Sequence, residues 1–309
     1  MIITKLLGIK YPIFQGAMAQ IARYELVSAV SNVGGLGILA SGGMSPEELR
    51  EQIKKCKEQT TKPFAVNLML MMPNINEIID VVIEEGVKIV TTGAGTPRKF
   101  MPRLTEAGVK VIPVIPSVKA AKKMEELGCA AVVVEGMEAG GHVGTSTTMA
   151  LLPQVTKAVN IPVIAAGGIA DGRGVAAAFC LGASGVQMGT VFLATHECPI
   201  SIEYKNLIVE ADDTSTTLTG MKFGAPVRGI KNELTKRYHE LEAQSSTLME
   251  LEKLTLGSLR KAVYDGDVEN GSVMSGQIAG LVDEIRSVEQ VIVDVLEEAK
   301  TTLANVKID

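Results

Sequence analysis

One alternation dominates the first two thirds of the chain. A short apolar run is followed by a stretch of helical spacing with a charged face, and the pair recurs eight times. The apolar runs occupy 12–15, 36–40, 64–68, 88–91, 110–114, 131–135, 162–166 and 185–188. Runs such as Ala130-Ala131-Val132-Val133-Val134 show no polar alternation, so such strands must be covered on both faces, as in a parallel sheet layered with helices. Between them, residues 46–59, 75–85, 118–127 and 172–181 read as helices, several ending at a glycine suited to a C-terminal cap: Gly86, Gly108, Gly128 and Gly182. Eight βα units in about 200 residues predict an α/β chain built as a (β/α)8 TIM barrel near the short end of its size range. A doubly wound open sheet would use the same alternation, because strand count does not establish closure.

After Ala194 the rhythm stops. Residues 200–255 are charged and largely helical by pattern, 271–280 are glycine-rich, and an amphipathic helix closes the chain from about 288 to 303. This predicts a barrel unit over 1–199 and a smaller C-terminal helical cap over 200–309 that returns to the catalytic face. The long uncharged run 174–196 is broken by Gly174, Gly182, Gly185, Gln187 and Gly189, so it reads as helix, turn and buried strand and no membrane partner is expected. Lys5 and Lys10 interrupt the first apolar stretch and leave no signal-peptide core. Four cysteines without a CxxC pair and three scattered histidines complete no metal pattern, which suits a reducing, cytoplasmic chain. Thirty basic against thirty-five acidic residues argue against nucleic acid, and Arg228, Lys231, Lys236 and Arg237 read as a solvated helix face.

In such a barrel the chemistry sits at the C-terminal ends of the strands. Those ends carry Gly16, Ala17 and Met18 after the first strand, Asn67 on the third, Thr92 after the fourth and Glu135 after the sixth. Gly167 and Gly168 follow the seventh strand, and Gln187, Gly189 and Thr190 end the eighth. Glycines at these last two positions, with a helix starting near Asp171, are where such barrels hold a phosphate on backbone N–H groups. The loop after strand six runs Glu135-Gly136-Met137-Glu138-Ala139-Gly140-Gly141-His142, and its glycines let the backbone fold over a flat ligand with His142 at the mouth. No Gly-x-Ser-x-Gly and no Ser/His/Asp spacing is present, so a bound cofactor is expected to carry the reaction.

Tyr11–Met18, Asn67-Leu68-Met69-Leu70, Thr91–Gly95, Glu135–His142, Ile164–Asp171, Gln187–Thr190 and the tail from Gly271 to Val282 together resemble the flavin-dependent enoyl-acyl-carrier-protein reductase II family of bacterial fatty-acid synthesis. The resemblance covers almost the whole chain. It implies FMN at the barrel mouth, NADH or NADPH as reductant, acyl carrier protein as the partner delivering the enoyl substrate, a homodimer, and a monovalent cation near the catalytic loops. It further implies that Ala17, Met18 and Asn67 contact the isoalloxazine ring, that Glu135 and Gln187 bond the ribityl and ring region, that Gly167, Gly168, Gly189 and Thr190 hold the phosphate, that Gly16 and Thr92 belong to the same cofactor site, and that His142 is catalytic. The Glu-x-Gly-Gly-His element is shared with nitronate monooxygenases, so an oxygen-dependent nitronate monooxygenase is the competing flavin reading. A flavin-free barrel binding a phosphorylated metabolite is the other.

Overall fold

A computed structural model describes residues 2–244 and 247–307. Eleven strands follow in chain order: β1 (Ile13–Gln15), β2 (Gly37–Ala40), β3 (Phe64–Met69), β4 (Ile89–Gly93), β5 (Lys110–Ile115), β6 (Val132–Glu135), β7 (Gly141–His142), β8 (Val163–Ala166), β9 (Gly185–Met188), β10 (Thr216–Thr219) and β11 (Val227–Ile230). Eight of them form one all-parallel sheet in the order β1-β9-β8-β6-β5-β4-β3-β2. The two ends of that order meet: Phe14 bridges Leu36 in parallel, the Leu36 N–H donates to the Ile13 carbonyl at 2.8 Å, and the Gln15 N–H donates to the Leu36 carbonyl at 3.0 Å. The Gln15 side chain adds a further tie, its Oε1 accepting from the Ile38 N–H at 3.1 Å. Closure removes the open doubly wound sheet from consideration, and the (β/α)8 barrel stands.

Strand period sorts the side chains into two cores. Phe14, Leu36, Ile38, Ala65, Ile89, Ile112, Val133, Ile164 and Ala166 fill the barrel interior, and Ile3 and Leu7 of the Ile2–Leu7 helix join them. A Cβ on Gly185 at the start of β9 would lie 3.5 Å from Ile3, which places that helix as a plug under the barrel's N-terminal end. The alternate positions, such as Val66, Val90, Val111 and Val134, pack outward against the helices. The expected helices form at Pro46–Gln59, Ile75–Glu84, Val118–Glu126 and Gly172–Cys180. The Ser45 side chain caps the first, accepting from the Glu48 N–H, with Pro46 opening the helix.

The C-terminal third departs from the expectation in two respects. The helix Val288–Asn305 packs against the helices Gly172–Cys180 and Tyr24–Val33, between the barrel's last and first units, so it is the outer helix that β9 lacks. The segment between them is therefore an insertion, and the boundary expected at 199–200 separates only its start. That segment is also not purely helical: β10, β11 and β7 form an antiparallel sheet. The reason is local. Thr216-Thr217-Leu218-Thr219 and Val227-Arg228-Gly229-Ile230 are β-branched rather than helix-forming runs. The uncharged run 174–196 resolves, as expected, into helix, turn and strand, and no helix among the described residues is long and apolar enough to cross a membrane.

Candidate functional site

The C-terminal ends of β1, β6, β8 and β9 open into a cavity at the barrel mouth. Gly16, Ala17, Met18, Glu135, Gly167, Gly168, Gln187, Gly189 and Thr190 all line it. Glu138, Ala139 and Gly140 of the loop after β6 also line it, as do Ile169, which was not singled out from the sequence, and Gly276 and Ile278 of the glycine-rich tail.

Two glycine conformations shape the floor. Gly167 and Gly168 sit at φ +89° and +76°, a region costly for residues with a Cβ. At Gly167 a Cβ would lie 2.8 Å from the Gly136 carbonyl oxygen, so side chains are excluded where the two loops cross. The amides of Gly168, Ile169, Gly189 and Thr190 have no protein acceptor among the described residues. Across the cavity, the Gly276 N–H donates to the Thr190 hydroxyl oxygen at 2.8 Å. That bond occupies an acceptor site on the hydroxyl and leaves its own hydrogen to be donated. No lysine, arginine or histidine lines the cavity among the described residues. An anion there meets backbone dipoles and a hydroxyl, as glycine-rich anion nests provide.

One part of the anion expectation is corrected. The helix Gly172–Cys180 begins after Gly168 as expected, but its first turn is already satisfied: the Gly174 N–H donates to Asp171 Oδ1 at 2.8 Å and the Gly172 N–H to Glu298 Oε2 at 2.7 Å. The donors left are those of the loops, not of the helix.

Glu135 ends β6 on the inward-facing register, next to Ala166 of β8. Burial pushes its carboxyl up from 4.5 to about 7. Gln187 shares that inward register, and Gly16 packs beside it: a Cβ there would lie 3.4 Å from the Gln187 side chain.

Three expected residues lie away from the cavity lining. Asn67 lies within β3, two residues before its end, and donates from Nδ2 to the Thr91 hydroxyl at 2.9 Å, on the inward face. Thr92 is a correction. It shares strand parity with Val90 of the outer core, it is buried, and its Oγ1 has no hydrogen-bond partner, so it faces the helices while its neighbour Thr91 faces inward. His142 is exposed on β7, two residues beyond cavity-lining Gly140, and pairs across to Val227 of β11. Arg228, expected on a solvated face, is instead 4% exposed; its Nε donates to the Met137 carbonyl at 3.1 Å and its Nη1 to the Thr216 hydroxyl at 3.2 Å. It anchors the loop that carries His142.

The nitronate monooxygenase family model matches residues 1–79 and 73–298. The fold is similar to that of FabK from Thermotoga maritima, with a TM-score of 0.95 and 48% identity, over 98% of this chain and 96% of that one. A probable nitronate monooxygenase from Staphylococcus saprophyticus is 36% identical, over 92% of this chain and 93% of its own. The (3aS,4S,5R,7aS)-5-hydroxy-7a-methyl-1-oxo-octahydro-1H-indene-4-carboxyl-CoA dehydrogenase of Mycobacterium tuberculosis is 35% identical, over 97% of this chain and 96% of its own. With the family model spanning nearly the whole barrel and insertion, this chain belongs to the nitronate monooxygenase family.

Proposed function

We propose that the protein is an FMN-dependent enoyl-acyl-carrier-protein reductase, converting a trans-2-enoyl thioester to the acyl thioester with NADH or NADPH. The observation that carries this reading is the likeness to FabK, an enoyl-ACP reductase II, which at 48% identity extends over the glycine-rich tail as well as the barrel. The M. tuberculosis relative is named for a carboxyl-CoA substrate, which is also a thioester.

The site fits FMN on its own geometry. The close approach at Gly167, the unpartnered amides of Gly168, Ile169, Gly189 and Thr190, and the freed Thr190 hydrogen suit a phosphate. When bound, FMN supplies two-electron chemistry, taking a hydride from the nicotinamide and passing one to the β-carbon of the substrate. Ala17 and Met18 would border the ring, with Asn67 at its far edge, and Glu135 and Gln187 would bond its ribityl chain. Hydride addition leaves negative charge on the thioester oxygen, so a donor there lowers the barrier and a proton must reach the α-carbon. His142, two residues beyond cavity-lining Gly140 and paired with Val227, would take that role.

A nitronate monooxygenase is the second reading, favoured by the family model and the Staphylococcus relative. Anaerobic mixing with NADH and a crotonyl thioester separates the two. Rapid NADH oxidation that depends on the enoyl compound supports the reductase; nitronate-dependent oxygen uptake without NADH replaces it with the monooxygenase.

A further inference from the structure

Glu138 sits among the glycines of the loop after β6 but contributes no free carboxylate to the cavity. Its two oxygens accept from the Thr148 N–H at 2.9 and 3.0 Å, the first amide of the helix Thr148–Ala158. The Thr148 hydroxyl has one hydrogen to give and three acceptors in range: the Gly167 carbonyl at 2.8 Å, which is the shortest, Glu138 Oε2 at 3.1 Å and the Ala166 carbonyl at 3.2 Å. A Cβ on Gly136 would fall 2.0 Å from that hydroxyl, so the oxygen is seated against bare backbone with no room to swing. A Cβ on Gly168 would be 3.4 Å from the Glu138 Cβ, and the Glu138 carbonyl accepts from the Gln277 N–H at 2.9 Å. One residue thus touches the loop after β8, the helix that follows β7, and the tail.

From this we infer that Thr148 and Glu138 are positioning residues for the phosphate end of the cofactor site: the carboxylate fixes Thr148, and the Thr148 hydroxyl fixes the Gly167 carbonyl and with it the direction of the next amides. Gly167 and Gly168 are in left-handed backbone, where a rotation of one peptide redirects an N–H away from an anion. The Gly167 carbonyl and the Gly168 N–H belong to one planar trans peptide and point in opposite directions within it, so fixing the carbonyl fixes the N–H. The inference rests on the FMN reading and adds to it residues that need not touch the cofactor.

The decisive variant is Thr148→Val, which keeps the shape and the charge and removes only the hydroxyl. Apoprotein is titrated with FMN, following flavin fluorescence, and the melting temperature of each apoprotein is recorded. Thr148→Val should raise the FMN Kd about tenfold, the scale of one well-placed hydrogen bond, whereas Thr148→Ser should stay within about twofold of the wild type. Glu138→Gln provides a second test if the valine variant does not fold. Removing a negative charge near a phosphate should tighten binding if electrostatics alone mattered; loss of positioning should weaken it. Wild-type affinity in Thr148→Val, or tighter binding in Glu138→Gln, overturns the inference while leaving the FMN reading in place. A wild-type protein that binds no FMN removes the FMN reading itself and this inference with it.

Discussion

Glu135 offers a test of the cavity that needs no substrate. Its carboxyl is raised from 4.5 to about 7 because burial penalises the charged form, with no cation on the cavity wall to offset it. The folded state therefore binds this proton more tightly than the unfolded chain does. Its contribution is favourable to folding only at low pH: from about pH 4.5 upward the unfolded chain gains by ionising first, and stability is lost until the folded carboxyl also ionises near pH 7. At about 1.4 kcal/mol for each tenfold change in an ionisation constant, the loss amounts to about 3 kcal/mol by pH 8. Glu135→Gln keeps the shape and removes the titration. The apoprotein of this variant should match the wild type near pH 4.5 and melt several degrees higher near pH 8, with the gap opening between those values. Melting curves of the two apoproteins at closely spaced pH values measure it. Parallel pH profiles for variant and wild type would refute the placement of Glu135 in a low-dielectric wall.

The other predictions address catalysis, the cofactor and the scaffold. His142→Ala should keep yellow, flavin-bound protein and lose most reduction of a crotonyl thioester; undiminished turnover removes the histidine from the chemistry. Gly168→Val puts a branched residue at φ +76° beside Glu138, a strain of about 1–3 kcal/mol borne by the phosphate loop, so FMN retained through gel filtration should fall sharply. Gly37→Ala sets a Cβ 2.1 Å from the Val27 carbonyl oxygen, a backbone clash that no rotamer relieves; it should cost more than about 4 kcal/mol and leave little soluble protein on expression.

The barrel was legible because its strands are buried on both faces and so announce themselves as unbroken apolar runs. The cavity glycines were legible because strand ends fix where the loops begin. Thr92 was misplaced for a reason the sequence contained: β4 reads Ile89-Val90-Thr91-Thr92-Gly93, and with Ile89 inside the barrel the period of two puts Thr91, not Thr92, on the inner face. The strands β10 and β11 were missed because four-residue runs flanked by charge are too short to display a period of two, although their β-branched residues favour strand. Glu298 was beyond reach by any local signal. It fills the helix start at Gly172 from 126 residues downstream, which only the docking of the last helix could reveal.

That docking bears on how one barrel serves more than one reaction. On the proposed reading, the glycine-rich floor at Gly167, Gly168, Gly189 and Thr190 would take the flat, phosphorylated cofactor and would carry little information about the substrate. The residue proposed to meet the substrate is held differently. His142 pairs with Val227, and Arg228 ties down Met137, so both ends of its loop are fixed by β11, a strand of the insertion. The insertion in turn enters and leaves the barrel between β9 and the helix Val288–Asn305, where Glu197 accepts from the Val288 N–H at 3.0 and 3.2 Å. A change at Arg228 can therefore move the histidine while the tail's own contact with the floor, the Gly276 N–H to the Thr190 hydroxyl, stays in place. Relatives that share the glycines and the Glu-x-Gly-Gly-His element can differ in reaction for this reason, and Arg228→Met tests it: flavin binding should persist while the pH profile and KM of enoyl reduction shift. Loss of flavin together with activity would instead tie the floor to the insertion and defeat the separation argued here.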